Sequence, residues 1–262
     1  MKRIVLTITA TILTILLHGQ HIVYDKNVRT LQVTPNGNPL LPPVLKLGYS
    51  SYLKISWDEM SHDYHRYTYR IQHCTRDWEP TEGLFESDYL HGTNDLPVEN
   101  YETSFNTTQI YTHYSLTFPN RNASVLLSGN YKLLIYEDGK TDAPPSIEVR
   151  FHVVETGMGV TMQVAHNTDI DVNDRHQQVA LALNYGNTRV TDPYKQIHAV
   201  VMQNRRSSRT VAGVRPDINK ANGLEWRHCE ELIFPAGNEY HKFEILDVNQ
   251  SGMNVDYMRW FE

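Results

Sequence analysis

The chain has 262 residues, a formal net charge of -6, and 21% charged against 40% hydrophobic residues. That balance excludes a disordered or collagen-like chain and leaves no electrostatic footprint for nucleic acid. The two cysteines, Cys74 and Cys229, are too few for a disulfide scaffold.

In chain order, Lys2 and Arg3 precede an apolar run from Ile4 to Leu17 that His18-Gly19-Gln20 breaks. A positive start, a short greasy core and a small exit residue predict a secretory leader over 1–19, cut after Gly19. The run is shorter than the ~20 apolar residues that span a bilayer. The leader carries two positive and no negative charges, so the exported chain has a net charge of -8. Strand patterns follow at Val28–Val33, Val44–Tyr49, Tyr52–Trp57, Tyr67–Cys74, Thr112–Phe118, Asn130–Tyr136 and Ile147–Val154. Each alternates and is rich in β-branched or aromatic residues. Turn signals separate them, among them Pro35-Asn36-Gly37, Ser128-Gly129-Asn130 and Asp138-Gly139. The expected fold is all-β, with an immunoglobulin- or fibronectin-like β-sandwich over 20–156. Within it Gly129 and Tyr131 predict a tyrosine corner, with Trp57 as the core tryptophan facing it. Cys74 reads as a small buried hydrophobe in a strand.

Between these runs, Tyr89–Thr108 lacks clean periodicity and reads as a long functional loop. A boundary at Glu155-Thr156-Gly157-Met158-Gly159 opens a second β-rich domain over 157–262, expected to be incomplete at its C-terminus. Its strands are expected at Val160–Val164, Gln178–Leu183, Ile197–Gln203, Leu224–His228 and His241–Leu246. Cys74 and Cys229 fall in different domains and read as two separate thiols.

Catalytic and metal-binding sets are weak. Asp169-Ile170-Asp171-Val172-Asn173 opens like a calcium loop, but Asp174 stands where glycine is needed and Ala180 where a bidentate glutamate is needed. His62, His65, His73 and His91 match no zinc spacing. Arg205, Arg206 and Arg209 form one basic knot, read as a solvated hairpin tip. There is no Gly-x-Ser-x-Gly elbow and no phosphate-cradling glycine loop. The stretch Asp77–Tyr89 mixes carboxylates with aromatics, as a glycosidase or a carbohydrate-binding module would. No cofactor and no metal is expected.

Several pieces in a fixed order resemble a known family. They are Tyr69-Arg70-Ile71-Gln72-His73-Cys74 with Asp77-Trp78, Tyr89-Leu90-His91-Gly92, Tyr101 with Ser104-Phe105-Asn106-Thr107, and Phe118-Pro119-Asn120. Ser128-Gly129-Asn130-Tyr131, Arg150-Phe151 and, further on, His176-Gln177-Gln178 and Phe234-Pro235-Ala236-Gly237 complete the set. The arrangement resembles the plug proteins of the type IX secretion system of Bacteroidetes, from about Tyr24 to the end. Thr75-Arg76 departs from the family pattern. The resemblance implies a non-enzymatic periplasmic stopper on the inner face of the outer membrane. It would seal an idle outer-membrane β-barrel translocon through protein contacts and meet the membrane only through that partner. The partner-contact candidates are Trp78, Glu82, Phe85, Glu86, Asp88, Tyr89, Tyr101 and Phe105; Tyr131, Trp57 and Cys74 are structural. The competing readings are a carbohydrate-binding β-sandwich module or glycosidase accessory domain, and a surface adhesin.

Overall fold

Alternation along the chain decides which segments become strands. The computed structural model describes residues 21–262 except 49, 62–63, 139, 141–142, 173–174, 206–208, 238–243, 245–246, 248–249, 251 and 254–262. The leader, the strand expected at His241–Leu246 except Glu244, and Tyr49, His62, Gly139, Asn173, Asp174 and Arg206 therefore lie outside the described residues. The chain divides into two compact units, Met1–Thr156 and Gly157–Glu262.

In the first unit β1 (His21–Val23), β2 (Val28–Pro35), β3 (Val44–Lys46), β4 (Leu53–Glu59) and β5 (Tyr67–Cys74) come first. A four-residue helix, α1 (Glu86–Tyr89), and the short strands β6 (Leu90–Gly92), β7 (Leu96–Pro97) and β8 (Asn100–Thr103) follow. β9 (Thr112–Phe118), β10 (Ala123–Val125), β11 (Gly129–Glu137) and β12 (Ile147–Val154) complete the unit. One sheet has the order β2-β4-β9-β8; the facing sheet has the order β1-β12-β11-β5-β7. β3 also joins β12, in parallel. This is the arrangement of an immunoglobulin-like sandwich.

Period-two alternation builds the core. Leu53, Ile55 and Trp57 of β4 are fully buried, as are Tyr114 and Phe118 of β9. Tyr69 and Ile71 of β5 face them from the other sheet with Tyr131, Leu133 and Ile135 of β11 and Val149 and Phe151 of β12. Tyr131 sits at the start of β11, fully buried, and its hydroxyl donates to the Leu127 carbonyl at 2.8 Å. Trp57 does not face it. Its ring stacks on Tyr114 at 5.4 Å and meets Tyr67 edge-on at 5.6 Å, whereas Tyr131 stacks on Phe151. The reason is register: Trp57 lies directly opposite Tyr114 in the ladder, and opposite residues share a face. Cys74 is a free, buried thiol whose pKa burial raises.

The stretch read as a long loop is not one. Residues 89–108 carry the end of α1 and all of β6, β7 and β8. Asn94 explains part of this order. Its side-chain oxygen accepts from the Ile71 N–H at 2.7 Å and its amide donates to the Ile71 carbonyl at 3.0 Å, replacing a strand partner.

Gly92 closes the β6–β10 pair with a φ of +101°. A Cβ there would run into the Asn122 carbonyl. Gly92→Ala is expected to cost about 2 kcal/mol, read as a lower urea midpoint at unchanged m-value. The edge strand β1 gives a pH prediction. Burial pushes the His21 pKa from 6.5 down to about 4, and its Nδ1 has no hydrogen-bond partner among the described residues. The neutral form belongs to the docked strand. Its contribution is therefore complete above pH 6.5 and is lost as pH falls toward 4. Amide exchange at His21–Tyr24, corrected for intrinsic rates, is expected to accelerate over that window while Val149 stays protected.

The second unit is built on β13 (Gly159–Ala165), β14 (His176–Asn184), a short helix α2 (Pro193–Gln196), and β15 (Val200–Met202) paired with β16 (Thr210–Ala212). β17 (Ile218–Lys220), β18 (Gly223–Trp226) and β19 (Ile233–Pro235) follow. The sheet order is β13-β14-β18-β17, with β19 also on β14. Val179, Leu224, Trp226, Leu232 and Phe234 form its core. The strand expected at Ile197–Gln203 shrinks to Val200–Met202, because the preceding turn is taken by α2, whose first residue is Pro193. Cys229 is a second free, buried thiol. The calcium-like loop is used internally: Asp171 accepts from His176 at 2.6 Å, and Asp169 holds Gln178 at 2.6 Å and His228 at 3.1 Å.

Candidate interaction surface

The side chains singled out for contact are set by how the chain leaves β5. After Cys74, the Thr75 N–H donates to the Glu79 carbonyl at 2.8 Å and the Trp78 N–H to the Thr75 carbonyl at 3.1 Å. This tight turn forces Trp78 to a φ of +65°, a left-handed conformation that costs a non-glycine residue about 1–2 kcal/mol. What the turn achieves is placement. Arg150 lies over the Trp78 ring at 5.2 Å, and His152 packs beside it at 5.3 Å. Beneath, Arg150 holds Glu148 at 2.6 Å, Lys132 stands 3.7 Å from the same carboxylate, and the Tyr24 hydroxyl donates to it at 3.3 Å. Trp78 thus caps the outer face of β11 and β12 and is only half-exposed.

The chain from Pro80 to Gly92 is strapped back onto the sandwich. Thr81 donates its N–H to the His73 carbonyl at 3.1 Å, and its hydroxyl meets His73 Nδ1 at 2.8 Å. Asp88 accepts from the Phe85 N–H at 2.9 Å while its own N–H donates to the Phe85 carbonyl at 3.0 Å. Glu86 accepts from Asn94 at 2.8 Å. Tyr89 is buried in the core, its hydroxyl donating to the Ile71 carbonyl at 3.3 Å. Tyr89 is therefore a structural residue, contrary to its place among the contact candidates: it faces inward because α1 is a single turn fixed at both ends. Glu86 and Asp88 spend hydrogen-bonding capacity within the loop. Glu82 is exposed, and Phe85 is 76% exposed.

Tyr101 and Phe105 belong elsewhere. Tyr101 lies opposite Tyr114, with Tyr64 at 4.7 Å. Phe105 is 85% exposed in the β8–β9 connection. That connection precedes Thr112, which pairs with Glu59 at the far end of β4; α1 and β6 lie near Leu53 and Phe118, at the near end. The ladder between these ends spans about 20 Å at ~3.3 Å per residue. The eight candidates thus divide between two ends of the sandwich.

Two residues escaped the sequence reading. Leu126 and Leu127 are 46% and 38% exposed, and the Leu126 N–H donates to the Tyr89 carbonyl at 2.8 Å. Their neighbours in sequence look like core, and only the pairing of β6 with β10 puts them beside α1 at the surface. Phe85, Leu126 and Leu127 are thus exposed apolar side chains on the segments joined by this bond, and Glu79 and Glu82 are exposed on the connection that leads into α1. Two surface depressions, one between Tyr24 and Ser146 and one between Pro35 and Ser51, are lined by other residues. Among the described residues, no group of three or more His, Cys, Asp or Glu is placed to hold a metal, and no helix is long and apolar enough to cross a membrane.

Residues 28–155 match the family model described as type 9 secretion system plug protein 1st domain. No curated protein matches the chain. Among solved structures, the chain is similar to a crystal structure of a hypothetical protein from Parabacteroides merdae ATCC 43184. The two are 32% identical, with a TM-score of 0.79 over 92% of this chain and 60% of that one. The chain thus spans about three-fifths of the length of that relative.

Proposed function

We propose that this chain, whose N-terminal unit belongs to the family of type 9 secretion system plug protein first domains, acts as a non-enzymatic seal on the idle translocon of that system. The observation that carries the reading is the match over residues 28–155. The physical character of the unit agrees with it. A channel wide enough for folded cargo leaks solutes when idle, so it needs a stopper that is rigid, broad and releasable. A β-sandwich whose exposed connection is tied down by Thr81, Asp88 and Asn94 offers a fixed surface and needs no chemical pocket. Release calls for an interface with few apolar anchors and a polar rim.

Export by the 1–19 leader would place the protein in the periplasm, held at the outer membrane through its partner alone. A carbohydrate-binding module is less well served by this surface: the Trp78 ring that a sugar would stack on is covered by Arg150. Deleting the gene tests the reading. Cells lacking the protein are expected to admit large antibiotics that the intact outer membrane excludes, and re-expression is expected to restore exclusion. Unchanged sensitivity in the deletion strain would count against a sealing role.

A further inference from the structure

Resting on the sealing function above, we propose that the end of the sandwich carrying Phe85, Leu126 and Leu127 is the face that docks, and that its occupant is a translocon segment bearing an apolar side chain flanked by lysine or arginine. Presentation is the first argument. The Phe85 ring is 76% exposed although its backbone is held on both sides by Asp88, through bonds of 2.9 and 3.0 Å. Leu126 is fixed to the last residue of α1 by its bond to the Tyr89 carbonyl. Large apolar side chains on an anchored backbone lose little freedom on binding, which makes them efficient anchors.

Charge complementarity names the partner. From Thr75 to Asn94 the sequence holds Asp77, Glu79, Glu82, Glu86 and Asp88 against a single lysine or arginine, Arg76. Arg76 itself stands 3.3 Å from Asp77. Glu79 and Glu82 are exposed, and no hydrogen bond holds their carboxylates among the described residues. An acidic segment that carries an exposed apolar side chain steers and orients a cationic partner and repels an acidic one. The opposite end, with Phe105 and the Tyr64–Tyr101 pair, also has exposed aromatics, with only Glu99 and Glu102 exposed beside them in β8 and the residue before it.

The test uses the full-length protein, affinity-tagged and recovered from its own cells, with the co-purifying outer-membrane barrel identified and quantified by mass spectrometry. Glu79→Lys with Glu82→Lys, and separately Phe85→Ser with Leu126→Ser, are each expected to lower barrel recovery about tenfold or more. Phe105→Ser is expected to leave it unchanged. Raising the salt from about 0.1 M to about 1 M, which shortens the screening length from about 10 to 3 Å, is expected to release the barrel from the wild type. Thermal melts of the variants check that they fold; the lysine pair alters only exposed side chains. If both pairs of substitutions leave recovery intact, this face is wrong while the sealing role stands. If the wild type brings down no barrel at either salt concentration, the sealing role falls as well.

Discussion

Trp57→Ala is expected to destabilise the N-terminal unit by about 3–5 kcal/mol, enough to unfold a domain of ordinary stability. Trp57 is fully buried at the centre of the core. It holds Tyr114 in a stacked pair and Tyr67 in an edge contact, and these two rings meet each other at 5.0 Å. Removing the indole opens a cavity lined by two tyrosines, one of them already committed: the Tyr114 hydroxyl donates to the His65 carbonyl at 2.6 Å. The site cannot collapse without breaking that bond, so the cost lies at the upper end for a large-to-small change. Trp57→Phe keeps part of the stack and also removes an indole N–H that has no partner among the described residues. It is expected to cost clearly less than the alanine. Urea unfolding followed by far-UV circular dichroism measures both. Equal losses for Phe and Ala would show that packing around the ring is not what matters there.

Arg150→Ala is the second large effect, expected at about 3 kcal/mol. Glu148 is only 7% exposed at its side chain, so its charge depends on Arg150 at 2.6 Å and Lys132 at 3.7 Å. Losing the nearer cation leaves a buried carboxylate with the longer, weaker pair and strips Trp78 of the group over its ring. Because the pair is buried, the penalty is expected to persist in high salt, where a surface pair would be screened away. Glu148→Gln combined with Arg150→Met removes both charges at similar volume and is expected to recover much of the loss. Failure of the double variant to recover would place the cost in the Trp78 contact or in Lys132, which loses its carboxylate; Trp78→Ala separates the two. Trp78→Ala alone would reproduce the loss in the first case.

The parts legible in the sequence are those where a physical period is long enough to see. β4, β5, β9, β11 and β12 each run seven to nine residues, with burial alternating along β4, β9 and most of β5 and both faces largely covered in the middle of β11, and the all-β class follows from runs of that length. α1, β6, β7 and β8 are two to four residues each. They are fixed by Asn94, Asp88 and Thr81, whose side chains replace backbone partners and leave no periodic trace. The contact candidates do not gather on one face for a related reason. Closeness in sequence puts Tyr89 near Phe85, but Phe85 is the extended N-cap and Tyr89 the last helical residue, so Tyr89 is buried and Phe85 exposed. Tyr101 and Phe105 follow in sequence yet sit at the other end of the ladder. Leu126 and Leu127 were hidden because an apolar pair beside a strand looks like core until the pairing of β6 and β10 is known. Trp57 was recognisable as a core residue, but its partners depend on the β4–β9 register, which a single sequence does not specify.

A protein that seals by filling a pore, as proposed above, changes the conductance of the purified type IX translocon in a planar bilayer when the full-length protein is added on the periplasmic side. A wide, persistent conductance is expected to fall toward zero as protein is added and to return when it is washed away. A channel that keeps conducting with the protein demonstrably bound would contradict it.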